Sequence, residues 1–149
     1  MAQNEYLRFQ RGNYVVRDIE KSLSFYRDVL GFSVAFIKDS PDDSYSYPVF
    51  EIDYSNKLRF AVLSTEDQVR VMALTEVPAE LAKQPMPRRA AIVLEVGDVD
   101  AICTGARAAG LHVYDEEELH THDGRVGREV GIVDFDDNLV VIYHIPKAG

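Results

Sequence analysis

His120 and His122 stand two residues apart, with Asp123 beside them. On a strand this spacing puts both imidazoles on one side, and imidazole and carboxylate are the groups that bind zinc-type metals. A metal site there needs at least one more close ligand, and no fixed motif supplies it. The flanking stretch is acidic, so the plainer reading is two solvated histidines in a charged loop. His112 and His144 fall in or near expected strands and read as hydrogen-bonded edge residues. Cys103 lies on the apolar face of an expected helix with no base to activate its thiol, and reads as core packing. The side chains left to hold a ligand are Arg11, Asn13, Arg59, Glu95 and Tyr143. Two arginines on one surface would grip a carboxylate or phosphate through paired hydrogen bonds.

Whether these residues meet depends on the elements that carry them. A strand is expected from about Leu7 to Val16. Asp18 then caps a helix with Glu20 in its first turn. Its apolar residues Ile19, Leu23, Tyr26 and Leu30 share one helical face, and Gly31 ends it. Strands are expected over Phe32–Ile37, Tyr45–Asp53 and Leu58–Ser64, followed by a connector from Thr65 to Arg89 that holds Pro78, Pro85 and Pro87. The pattern then returns. Ala90–Val96 reads as a strand, and Asp98 caps a helix carrying Val99, Ile102, Ala106 and Ala109 on one face before Gly110. Leu111–Tyr114, Arg128–Asp134 and Leu139–Ile145 read as strands, with an acidic loop over 115–127 and a tight turn at Phe135-Asp136-Asp137-Asn138. Asp18 and Asp98 are 80 residues apart, and strand–helix–three strands occurs after the same signals twice. The chain is therefore expected to be a single α+β domain of two tandem βαβββ modules, module one over about 6–64 and module two over about 90–146.

The 149 residues suffice for one domain with a hydrophobic core. A net charge of −9 disfavours nucleic acid, which needs a basic stripe, and disfavours an anionic membrane surface. No apolar run approaches the roughly 20 residues of a membrane span, and no leader-like pattern opens the chain. One cysteine makes no internal disulfide. A cytoplasmic protein is expected.

The stretch Asn13–Phe32, with Phe25-Tyr26 and Leu30-Gly31 at its centre, resembles the first-module signature of the vicinal oxygen chelate superfamily, which includes glyoxalase I, extradiol dioxygenases and the bleomycin- and fosfomycin-resistance proteins. Val96-Gly97-Asp98-Val99-Asp100 and Asp134-Phe135-Asp136-Asp137-Asn138-Leu139 resemble the second module's helix start and closing hairpin. The resemblance implies a curved mixed sheet around a cavity, and a homodimer. It also implies a divalent metal, held from strands one and four of each module, that chelates paired substrate oxygens and steadies an enolate. By the superfamily's spacing the ligand positions fall on Arg11, Ala61, Ala91 and Val141. A guanidinium stays protonated, and none of the four has a lone pair to give. A one-residue slip exchanges faces and brings only Gly12, Ile92 or Ile142. No metal site and no cofactor are expected.

Strand alternation places Gly12, Tyr14 and Val16 toward the first helix, leaving Arg11, Asn13 and Val15 toward the cavity. It places Arg59, Ala61 and Leu63 inward from the strand expected to be fourth. From module two come Ala91, Val93 and Glu95, with Leu139, Val141 and Tyr143 from the last strand. Tyr45 and Tyr47 read equally as a stacking wall and as core residues. This is an apolar concavity with few polar groups, as small-molecule sites are; Glu95 would equally serve to pair an arginine. The expected function is binding of a small organic ligand, which the arginines would make anionic, without the usual metal. The alternatives are a glyoxalase-like lyase or isomerase or a dioxygenase with displaced ligands, and an interaction module with a filled cavity.

Overall fold

A computed structural model describes residues 6–148. Strand β1 (Gly12–Val16) leads into helix α1 (Ile19–Tyr26), whose first turn is closed by the Asp18 carboxylate accepting from the Lys21 amide at 3.1 Å. Regular helix stops at Tyr26, short of the expected Leu30. A looser turn carries the chain on to Gly31, whose φ of +99° is open to glycine and strained for other residues. In the second half β5 (Ala91–Glu95) leads into α3 (Val99–Ala108), capped by Asp98 in the same manner and ended at Gly110 with φ +81°.

Between these halves the sequence reading needs two corrections. Tyr45–Asp53 is not a strand: it holds a short helix, α2 (Ser46–Val49), and an irregular loop around it. The strand that completes the first sheet lies in the expected connector, at β4 (Met72–Glu76). It follows β2 (Ser33–Asp39) and β3 (Arg59–Ser64), and pairs antiparallel to β3 and parallel to β1. A single 3-10 turn, Ala79–Leu81, leads out of it. In the second half, Leu111–Tyr114 makes only one isolated bridge, Val113 to Ile132. The strand there is β6 (Glu117–His120), inside the stretch expected to be loop, before β7 (Val126–Val133) and β8 (Leu139–His144).

With those corrections the repeat is clear. The sheets run β1-β4-β3-β2 and β5-β8-β7-β6, and in each the first strand is parallel to the fourth. This is the α+β architecture of two tandem βαβββ modules. One core serves both: Ile19, Leu23, Phe25 and Tyr26 of α1 join Ile102, Cys103 and Ala106 of α3 against Leu63, Leu74, Ile132, Val140 and Ile142 of the two sheets. Each large apolar side chain hidden there contributes about 1.5–3 kcal/mol. Polar links then fix the modules in register. The Tyr14 hydroxyl, on β1, donates to Leu139 O at 2.6 Å and accepts from Ile92 N at 2.9 Å, joining the starts of β5 and β8. The buried Tyr26 hydroxyl donates to Asp134 Oδ2 at 2.7 Å, and Arg17 holds Asp136 at 2.8 Å.

Candidate ligand-binding site

Helices cover one face of each sheet, so ligand chemistry must come from the other. On module one that face carries Asn13 and Val15 of β1, Ala73 and Thr75 of β4, and Phe60 and Val62 of β3, which the register sets side by side. Thr75 donates to Asn13 Oδ1 at 2.8 Å. With its carbonyl engaged, the Asn13 amide nitrogen is buried and has no partner among the described residues. A buried donor without an acceptor costs about 1–3 kcal/mol, which makes this amide a place for a ligand oxygen. Beside it Phe36 and Phe60 pack edge to face at 5.9 Å, and the Lys38 ammonium lies over both rings.

One end of this face is covered by the chain itself. Tyr47 and Ile52, from the loop around α2, pack with Leu58, Val77 and Ala82 and touch Val15. Tyr47 stacks on Tyr54 with ring centres 4.7 Å apart and donates to Asn56 O, so its ring is engaged in the protein, whereas Tyr45 stands exposed.

On module two the open face carries Val93 and Glu95 of β5, Val141 and Tyr143 of β8, and Glu129 and Gly131 of β7. Val93 is 62% exposed there. Glu95, Tyr143 and Glu129 stand in one cross-strand row, each opposite the next. The Tyr143 phenol is pushed up from its ordinary value by desolvation and then by the Glu95 carboxylate. A cleft of about 840 Å³ runs from this row along β5 to the turn after α1 and to the β3–β4 loop.

The five expected ligand-binding residues therefore separate. Glu95 and Tyr143 meet on the open face of module two, and no arginine pairs with Glu95 among the described residues. Asn13 lies on the open face of module one. Arg11 is exposed just before β1, where its guanidinium reaches Arg70 O at 3.5 Å. Arg59 requires correction. It faces α1, pairs with Glu76 at 3.0 Å, and the other Glu76 oxygen accepts from Ile19 N at 2.9 Å. Arg59 thus steadies a carboxylate at the start of α1. Ala61 and Leu63, also placed inward by the sequence, are buried in the core. Both faces of β3 are apolar, and alternation alone does not say which is which. Thr75, Phe60 and Lys38 were missed for the same reason and because β4 was not recognised.

The histidine stretch makes only local contacts. His120 reaches Glu118 at 3.1 Å, and Asp123 accepts from Thr121 and Arg125, which hold its carboxyl down at about 2. Among the described residues no three His, Cys, Asp or Glu side chains are grouped to hold a metal ion. His144 Nδ1 lies 2.8 Å from Val96 O, His112 packs against Tyr114, and burial pushes the Cys103 thiol up.

With this geometry, the family model for the Glyoxalase/Bleomycin resistance protein/Dioxygenase superfamily matches residues 8–142. The chain belongs to this superfamily. No curated protein sequence matches it. Among solved structures it is similar to a glyoxalase family protein from Bacillus cereus, with 17% identity, 99% of each chain covered and a TM-score of 0.73. It is similar to TnmS3, an antibiotic binding protein from Streptomyces sp. CB03234, with 20% identity, 97% of this chain and 100% of that one covered, and a TM-score of 0.60. It also resembles the fosfomycin resistance protein FosX from Listeria monocytogenes, solved with Mn(II) and sulfate ion, at 14% identity, 95% and 93% coverage and a TM-score of 0.58.

The superfamily's metal can now be tested against the residues present. The register sets Val141 opposite Val93 and Ala73 opposite Asn13. Val93 follows Ala91 by two and Asn13 follows Arg11 by two, so Ala73, not Ala61, is the fourth-strand position of module one. Arg11, Ala73, Ala91 and Val141 offer a cation no lone pair. The donor set does not fit the metal.

Proposed function

We propose that this chain is a small-molecule-binding protein of the glyoxalase/bleomycin-resistance type that works without the superfamily's metal. The observation that carries this reading is that the superfamily's four ligand positions are filled by Arg11, Ala73, Ala91 and Val141, on a scaffold shared with an antibiotic binding protein. The proposed ligand-binding residues are Asn13, Glu95 and Tyr143, with Arg11 at the rim; Arg59 drops out because Glu76 engages it on the helix side. Asn13 would donate its free amide to a ligand oxygen, and the Phe36–Phe60 pair would pack a flat apolar part. Of the two arginines only Arg11 is left to favour an anionic ligand, beside Lys38 over the Phe36–Phe60 pair, and the Glu95–Tyr143–Glu129 row favours a ligand with a cationic group. Because Asn13 and the Glu95 row sit on different sheets, we propose a homodimer in which two open faces enclose one ligand.

Metal analysis of freshly purified protein, joined to a thermal-shift screen of antibiotics and aromatic amines, tests the reading. The expected result is no stoichiometric metal and a shift that Asn13→Ala and Tyr143→Phe abolish. Stoichiometric metal required for that shift would overturn it in favour of a lyase or dioxygenase with displaced ligands.

A further inference from the structure

The repeat lets the two open faces be compared position by position. Val15 and Glu95 each stand three residues before a helix-capping aspartate, Asp18 and Asp98. From Val15 the register runs across module one through Thr75 and Phe60 to Lys38. From Glu95 it runs across module two through Tyr143 and Glu129 to Glu117. The fold therefore puts Glu129 where module one has Phe60, and Glu117 where it has Lys38. These are not two copies of one site. One row is free of carboxylates and ends in a cation, and the other carries three carboxylates.

The cation on module one is held over an aromatic surface. Lys38 is exposed, and its ammonium lies 5.2 Å from the Phe36 ring centre and 5.6 Å from that of Phe60. No carboxylate pairs with it among the described residues. The ring faces steady the ammonium while its N–H groups stay available to an anion. The neighbouring row runs from Phe36 through Val62 and Ala73 to Asn13. It is apolar up to Asn13, whose amide nitrogen is the one buried side-chain polar atom without a partner among the described residues. Phe36 and Asn13 stand three strand spacings apart, about 14 Å. A cation, an aromatic pair and an unsatisfied donor thus share one sheet face.

We infer that the ligand is an extended aromatic acid: its acidic group pairs with Lys38, its rings pack on Phe36 and Phe60, and an oxygen at its far end accepts from Asn13 Nδ2. A span of about 14 Å, shortened from both ends by the side chains, suits two fused rings rather than one. Module two does not offer the same group a place, since Glu117 and Glu129 repel it at the positions of Lys38 and Phe60. Any cationic group of the ligand belongs to the Glu95–Tyr143–Glu129 row instead. The inference rests on the binding function proposed above, and adds the ligand's class and its orientation on module one.

Fluorescence titration with naphthalene probes tests it, and the chain has no tryptophan to overlap their emission. The probes are a naphthoate with a methoxy oxygen at the far end of its rings, the corresponding carboxamide, and the naphthoate without the methoxy group. Wild-type protein is expected to bind the methoxynaphthoate about fivefold more tightly than its carboxamide, the ratio for a partly exposed ion pair. Added salt should reduce that preference, Lys38→Met should erase it, and Lys38→Arg should keep it. The methoxy group should add about fivefold in wild type and nothing in Asn13→Ala. Equal binding of acid and carboxamide by wild type, or a preference that survives Lys38→Met, overturns the pairing with Lys38 and leaves the binding function standing. A methoxy gain retained in Asn13→Ala overturns the orientation. No binding of any of the three probes overturns the inference, and a blank antibiotic and amine screen besides overturns the binding function beneath it.

Discussion

Tyr26→Phe removes one oxygen from the best-buried polar contact between the modules. The Tyr26 hydroxyl donates to Asp134 Oδ2, and both residues are almost fully hidden, at 0% and 5% exposure. The same carboxylate also accepts from the amides of Asp136 and Asn138 and from the Asn138 side chain. Burial raises the Asp134 pKa, and these donors together oppose it. The Tyr26 phenol is itself held well above its ordinary value, first by burial and then by Asp134, so it remains a donor throughout. A phenylalanine ring keeps the edge-to-face contact with Phe25 at 5.1 Å and loses only the hydrogen bond. A hydrogen bond to a charged group is worth about 1.5–3 kcal/mol. In a chain of this length each kcal/mol lowers the melting temperature by about 2–4 °C, so a loss near 2 kcal/mol lowers it by about 4–8 °C.

The pH dependence separates this explanation from simple loss of packing. With the native pKa of Asp134 above its unfolded value, the native state takes up a proton first as pH falls. The cost of the buried charge is present above that pKa and is relieved below it. Removing a donor to the charged form raises the native pKa further. The deficit of Tyr26→Phe should therefore be full at neutral pH and shrink as the solution is acidified through the carboxylate range. Thermal unfolding of both proteins followed by circular dichroism at several pH values measures this. A deficit of the same size at every pH, or none at neutral pH, refutes the reasoning.

Arg59→Ala should leave ligand-induced thermal shifts unchanged and cost about 1 kcal/mol or less, because the Glu76 pair is partly exposed; lost ligand binding without lost stability would return Arg59 to the site. Tyr14→Phe should cost about 1–3 kcal/mol and speed amide exchange at Ile92, whose N–H bonds the missing oxygen. Gly127→Ala should be severe, since its Cβ would meet His144 O at 2.5 Å, whereas Gly97→Ala opens onto space and should melt as wild type does. Similar melting temperatures for these two variants would show that β7 shifts to make room.

What the sequence made legible is what local physics dictates. Asp18 and Asp98 cap helices, Gly31 and Gly110 end them with positive φ, and the 80-residue repeat of those signals implied the paired modules. What it hid depends on partners distant in the chain. Met72–Glu76 reads as a connector because its flanks hold turn residues and proline, and only pairing with Gly12–Val16 makes it the fourth strand. Tyr45–Asp53 has strand-forming residues, yet it forms a short helix and loop whose Tyr47 and Ile52 pack over one end of the open face. The candidate site inherited both errors. Missing β4 made β3 the fourth strand, which moved the expected ligand position from Ala73 to Ala61 and reversed the faces of Arg59 and Phe60. In β5 and β8 one face is polar or exposed while the other holds Ile92, Leu94, Val140 and Ile142 against the helix. There the alternation had a phase, and Glu95 and Tyr143 fell on the side assigned to them. The misfit with the superfamily's metal is the same at either position, because neither alanine can donate an electron pair. In module one's fourth strand the position is now fixed by β-sheet register against β1, and a register is the stronger constraint, since every backbone pair in the ladder would have to shift to undo it.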